Sequence, residues 1–219
     1  MMIFKYKGIE KEFIIDGGNS YNLIIENPRY LYSFLKDIIN SNEETIVLSK
    51  DYKLISFNKK AIVIENLYNF EINNKKILCS FYKLIEEKYN KLEYTKYIDD
   101  INILINKIFY DLNLELDVSI DYKDTIVLKD LLNTVELKVL DESKTILEKL
   151  ILYIKLINNI SNIKIVFIPF LNSFLDKNEI KLLQEELSLM EICLFNISSY
   201  DQNITNFEKT IVDYDLCEI

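Results

Sequence analysis

The chain has 219 residues, 49% hydrophobic and 28% charged, which describes a globular protein with a sizeable core and excludes intrinsic disorder. Its 26 Lys and Arg stand against 35 Asp and Glu, so a net charge of −9 excludes coating of nucleic acid by bulk basicity; any DNA contact must come from lysines gathered on one surface. Histidine is absent, which removes the usual general base, the usual zinc ligand and every histidine-based triad, and leaves a metal only oxygen ligands of the kind calcium and magnesium prefer.

Read in chain order, the first third alternates strands and helices. "EFIID", "NLIIE", "TIVLS" and "AIVIE" are short β-rich runs bounded by Gly, Asn, Lys or Asp. Between the second and third, Leu31, Phe34, Leu35, Ile38 and Ile39 share one face of a helix. The stretch "GGNSYNLIIENPRYLYSFLKDII" thus runs from a turn through a strand into a helix, the order used by phosphate-binding folds. Phosphate cradles place glycine between strand and helix, where bare N–H groups reach the anion. Here Gly17 and Gly18 precede the strand, the junction is Asn27-Pro28, and no G-x-x-x-x-G-K-[ST] occurs.

From Lys75 to about Asn159 the pattern turns helical. Ile77, Leu78, Phe81, Leu84 and Ile85 form one stripe, Ile98, Ile101, Ile105, Ile108 and Leu112 a second, and Ile146, Leu147, Leu150, Ile151 and Ile154 a third. Strands return with "KIVFIPF", "EICLFNIS" and "KTIVDYDLCEI", separated by a helix opening at Asp176 with Glu179 as its capping-box partner. The pattern predicts an α/β head (1–74 and 160–219) built on a mostly parallel sheet with flanking helices, interrupted by an inserted α-helical arm (75–159). Cys79, Cys193 and Cys217 are odd in number and lie in apolar runs, which predicts reduced core thiols and a cytoplasmic protein. No apolar run reaches a membrane span, and the opening residues predict no secretory signal.

Four blocks carry a resemblance across nearly the whole chain. They are "NLIIENPRYLYSFLKDI", "AIVIENLYNFEINNKKILCSFYKLIEEKY" with Asn73 in its loop, "TILEKLILYIKLINNISNIKIVFIPFLNSFLDKNEIKLLQEEL" and "KTIVDYDLCEI". In this order they resemble the type II-A CRISPR-associated spacer-acquisition family, the accessory adaptation component encoded beside the RNA-guided effector nuclease. The resemblance implies a head similar to ATPases of recombination and chromosome maintenance with the phosphate loop lost, so no nucleotide. It implies a ring-shaped homotetramer, stabilised by Ca2+, whose lysine-lined hole holds double-stranded DNA entered from a free end. It also implies the adaptation integrase and the effector nuclease as partners, and no catalytic activity.

On that resemblance, calcium is expected on the acidic stretch "LELDVSIDYKDTIVLKDLLN", with Glu115, Asp117, Asp121, Asp124 and Asp130 as candidate ligands. The alternative is a solvated acidic turn in which Asp124 caps the helix that follows. "TVELKV" offers a rival chemistry: Glu136 and Lys138 on one side of a strand, with Asp121 and Asp124 upstream, resemble the Asp…Glu-x-Lys set of magnesium nucleases. Lys123, Lys129, Lys138, Lys144 and Lys149 lie on the segment the resemblance assigns to the inner wall of the ring. Lysine grips phosphate without reading sequence, though each also serves solubility. A purely scaffolding adaptation subunit is the remaining alternative.

Overall fold

The computed structural model describes residues 1–91, 95–201, 204 and 206–219. Two compact units emerge, Met1–Phe70 with Asp141–Ile219, and Glu71–Leu140.

The first unit holds two sheets. Strands β1 (Met2–Tyr6), β2 (Phe13–Ile15), β4 (Ile46–Lys50) and β5 (Lys53–Leu54) form an antiparallel sheet in the order β2-β1-β4-β5. Strands β3 (Ser20–Ile25), β6 (Ala61–Val63), β7 (Ile165–Pro169), β8 (Cys193–Ser198) and β9 (Glu208–Val212) form a parallel sheet in the order β6-β7-β8-β3-β9. The chain is therefore α/β, with helices α1 (Pro28–Asn40), α5 (Ile146–Ser161) and α6 (Lys177–Leu189) in this unit. β3, β7 and β8 are buried along their whole length, as expected of parallel strands covered on both faces.

The period of two divides their side chains between two cores. Ile165 and Phe167 of β7, with Cys193, Phe195 and Ile197 of β8, point to a core shared with the antiparallel sheet and with Leu31, Phe34 and Ile38 of α1. Val166, Ile168 and Leu194 point to a second core with Leu147, Leu150 and Ile154 of α5 and Ile180, Leu183 and Leu187 of α6. Aromatic rings knit the first core: Phe4 meets Phe13, Phe57, Phe167 and Phe195 at centroid separations of 5.3–5.9 Å. One polar pair crosses the buried sheet. Asn196 Nδ2 donates to Asn22 Oδ1 at 2.8 Å in the register-matched neighbour strand, and Asn196 Oδ1 accepts from Leu171 N at 3.0 Å.

Several expectations change. "TIVLS" belongs to the antiparallel sheet and not the parallel one, beside a strand β1 in which buried Met2, Phe4 and Tyr6 alternate with Ile3 and Lys5. The last run is a strand followed by a return: beyond β9 the chain doubles back so that Ile219 N donates to Ile211 O at 2.9 Å. The Glu218 carboxylate then accepts from the backbone N–H groups of Glu10 and Lys11 at 2.7 and 3.2 Å. Helix α5 packs in the second core of the first unit, so the inserted unit ends near Leu140 and not at Asn159. A helical stripe reports one buried face; it does not say which layer buries it. Only Cys193 is a core thiol, where burial pushes its pKa up to about 11; Cys79 and Cys217 are exposed, and all three are free.

The second unit contains α2 (Lys75–Lys91), α3 (Thr95–Glu115) and α4 (Leu128–Thr134). Its apolar core is thin: among the described residues, Ile72, Ile77, Tyr82 and Leu132 are buried. Side-chain amides supply much of the remaining order. Asn73 donates to Val139 O and accepts from Val139 N, both at 2.9 Å, tying the entry of the unit to its exit. Along α3, Asn102 bonds Ile126 through both its amide atoms, at 3.1 and 2.9 Å. Asn106 donates to Asp124 O and accepts from Tyr122 Oη, and Asn113 Oδ1 accepts from Ile120 N. Phe109 and Tyr122 stack at 4.3 Å between these bonds. The expected second stripe is divided, since Ile98, Ile101 and Ile105 are half-buried whereas Ile108 and Leu112 are exposed.

Two outcomes follow from these bonds. Asn196→Ala strands the Leu171 N–H and the Asn22 carboxamide inside the sheet and is expected to cost about 1–3 kcal/mol, read as a shift of the urea midpoint. Asn102→Ala with Asn106→Ala is expected to remove the hydrogen-exchange protection of Ile126 while protection in β3, β7 and β8 is unchanged; equal loss in both units refutes the zipper.

Candidate functional site

In doubly wound α/β proteins ligands sit beyond the carboxyl ends of the strands, so the β3–α1 junction is the first place to look. Asn27 occupies the cap position of α1 in an extended conformation, and its Oδ1 accepts from Arg29 N at 3.0 Å and Tyr30 N at 3.2 Å. Its Nδ2 donates to Tyr214 O at 3.0 Å, so the capping amide is anchored from both ends. Pro28, at the first helical position, brings no N–H at all. The donors that a phosphate cradle leaves open are here taken by the protein itself.

The paired glycines serve elsewhere. They turn the chain into the amino end of β3, where Gly18 has φ +104° and a Cβ would lie 2.5 Å from Ser188 Oγ. At Gly17 a Cβ would approach the Glu191 backbone to 2.8 Å. They permit close packing against the end of α6 and stand at the opposite end of the strand from α1.

The five candidate calcium ligands are strung out along the second unit. Glu115 ends α3; Asp117, Asp121 and Asp124 are exposed on the irregular segment that follows; Asp130 lies in the first turn of α4. Asp130 is already engaged, by the Lys123 ammonium and by Val127 N at 3.0 Å, and these hold its carboxyl below the usual range. Asp124 does not cap α4: its carboxylate accepts from Thr125 Oγ1 at 3.2 Å, and Asp130 does the capping. Among the described residues, no group of three or more acidic or cysteine side chains is gathered to hold a metal ion. The acidic segment is zippered lengthwise to α3 by Asn102, Asn106 and Asn113, which keeps its carboxylates from folding around one centre. The residues as arranged do not fit a preformed calcium cage.

The nuclease set is not assembled either. Residues 135–140 form no strand, and Glu136 adopts φ +48° on leaving α4, so Glu136 and Lys138 do not share a strand face. They make instead an exposed ion pair of 3.9 Å.

The candidate DNA lysines divide between the units. Lys123, Lys129 and Lys138 are exposed in the second, the first of them held by Asp130. Lys144 and Lys149 belong to the first, at the start of α5. Lys144 is exposed, whereas Lys149 is half-buried with its ammonium 5.2 Å from the centre of the Phe70 ring. Sequence reasoning missed Asn102, Asn106 and Asn113, which fix the course of the acidic segment; their signal was carboxamides on the inner face of an amphipathic helix.

Comparison with known proteins agrees with this architecture. The crystal structure of Stu0660 of Streptococcus thermophilus superposes with a TM-score of 0.58 at 11% identity, covering 96% of this chain and 74% of that one, and so shares its fold. A putative ABC transporter ATP-binding protein from Pyrococcus furiosus aligns at TM-score 0.43 and 15% identity, over 95% and 96% of the two chains. No curated protein matches the sequence. The model of the CRISPR-associated protein family Cas_Csn2 matches residues 38–216, most of the chain. The chain belongs to the CRISPR-associated Cas_Csn2 family.

Proposed function

We propose that this CRISPR-associated protein binds the ends of double-stranded DNA as a ring-shaped homotetramer during spacer acquisition, and does so without catalysing a reaction. The observation that carries the reading is the closed β3–α1 junction. An α/β sheet of this kind would hold a nucleotide phosphate there, and Asn27 with Pro28 has taken the donors. The closed junction supports a reading without nucleotide turnover. Family membership supports a role beside the CRISPR adaptation machinery, and the integrase and the effector nuclease are the proposed partners.

Charge sets how DNA must be held. A net charge of −9 per chain, multiplied in a tetramer, repels a polyanion at long range. Binding then requires lysines from several copies to converge and release condensed counterions together. Lys138, Lys144 and Lys149, with Lys123 and Lys129, are the proposed contacts. Calcium enters the proposal only through the family resemblance; with Glu115, Asp117, Asp121, Asp124 and Asp130 apart, no step is assigned to it.

Titration calorimetry with ATP is expected to give no saturable heat at micromolar nucleotide; a saturable isotherm overturns the closed junction. Linear duplex is expected to bind, without preference for sequence and with affinity falling by roughly 10³-fold or more between 50 and 200 mM salt if six or more phosphates are contacted. Covalently closed circles of the same sequence are expected not to bind, and Lys138→Glu, Lys144→Glu and Lys149→Glu together to abolish binding with the solution mass unchanged. Circles that bind as tightly as linear fragments refute threading.

A further inference from the structure

The amino end of β3, away from the closed junction, opens on a cavity of about 430 Å³. Gly18 and Ser20 line it at the start of the strand, and Gln184 and Ser188 line it from the second half of α6. All four belong to the first unit.

Ser20 is the telling wall. It is only 9% exposed, yet its hydroxyl has no hydrogen-bond partner among the described residues. Asn22, two residues on and so on the same face of the strand, spends Oδ1 on Asn196 Nδ2 and leaves its own Nδ2 unpartnered. A polar group so far from solvent is costly to leave without a bond, and valine would serve a strand here without that cost. Ser20 thus marks a place where a ligand completes the bond. The wall opposite is equally unspent. Gln184 gives Nε2 to Asn206 O at 3.1 Å and keeps its carbonyl oxygen free, and Ser188 Oγ has no partner.

The lining selects the class of ligand. Lys181 and Glu185 at the rim pair at 3.7 Å, both more than half exposed, so the rim carries no net charge and favours neither an anion nor a cation. Among the described lining residues none is aromatic, which leaves a nucleobase no ring to stack on. What remains is hydroxyls and a carboxamide, which donate and accept at close quarters as the hydroxyls of a sugar do. Leu189 adds an apolar wall for the C–H face of such a molecule. The volume falls in the range of small-molecule sites.

We infer that the cavity at the amino end of β3 binds a small neutral polyhydroxyl compound, a monosaccharide or a polyol of that size, through Ser20, Gln184 and Ser188. The inference is independent of how DNA is held.

Calorimetry and amide chemical-shift mapping on the full chain test it, with D-ribose, D-glucose and myo-inositol as probes. At least one is expected to bind saturably, shifting the amides of Gly18, Ser20 and Ser188 and leaving that of Tyr30 in place. Ser20→Ala is expected to weaken binding roughly tenfold, and Ser20→Thr, which keeps the hydroxyl, to stay within about threefold of the parent. Gln184→Leu gives a second readout from a helix, away from the strand, and is expected to weaken binding by a similar factor with the circular dichroism unchanged. Lys181→Ser with Glu185→Ser is expected to leave the affinity within about threefold, since a neutral ligand does not draw on the rim charges. Saturation by glycine, adenine or inorganic phosphate in place of the polyols overturns the inference. So do shifts elsewhere in the chain, a Ser20→Ala affinity equal to the parent's, or no saturable binding by any of the three probes.

Discussion

The interaction on which the structure most depends is the side-chain amide standing in for backbone. The chain has three glycines and two prolines, so it lacks the residues that usually end helices and turn loops. Asparagine takes over those tasks because a carboxamide presents a donor and an acceptor at the spacing of a peptide group. Asn162 closes α5 in the left-handed conformation usually left to glycine. Asn27 caps α1, Asn73 binds Val139 as a neighbouring strand would, and Asn102 does the same for Ile126. In the centre of the first unit Asn196 links two buried strands and a turn. Each of these groups is costly to leave unpaired, so each fixes one arrangement and disfavours others.

This also explains how much the sequence disclosed. Apolar periodicity showed the parallel strands β3, β7 and β8 and the stripes of α1 and α5, because burial on a regular element writes itself at a fixed spacing. Asp176 with Glu179 announced the start of α6, and the bonds of 2.8–2.9 Å between them and the helix amides bear that out. What escaped was the pairing of regular elements with irregular chain. Nothing in the spacing of Asn102 and Asn106 names Ile126 or Asp124 as their partners, since that choice belongs to tertiary docking. The acidic stretch connects α3 to α4, and what escaped was its partner. Composition counted its oxygens but could not show that Asn102, Asn106 and Asn113 hold residues 120–126 along α3.

The β3–α1 junction was more legible. The absence of glycine between Ile25 and Pro28 was visible in the sequence. The structure adds that the orphan N–H groups are consumed by Asn27, whose own amide is pinned by Tyr214 beyond the last strand. The carboxyl end of β3 is therefore structural, held by Asn27 and Tyr214.

The placement of β3 also has a consequence for how the protein comes into being. β3 lies between β8 and β9, strands that the ribosome delivers roughly 170 residues later. At synthesis rates of about 5–20 residues per second the nascent chain holds "SYNLII" without either neighbour for some ten seconds or more. The contacts of the second unit, by contrast, span at most the stretch from Glu71 to Leu140 and can close while the first is still incomplete. A strand buried along its whole length is thus an open edge for most of translation, and early burial against α1 and the β1–β2 hairpin is what can shield it.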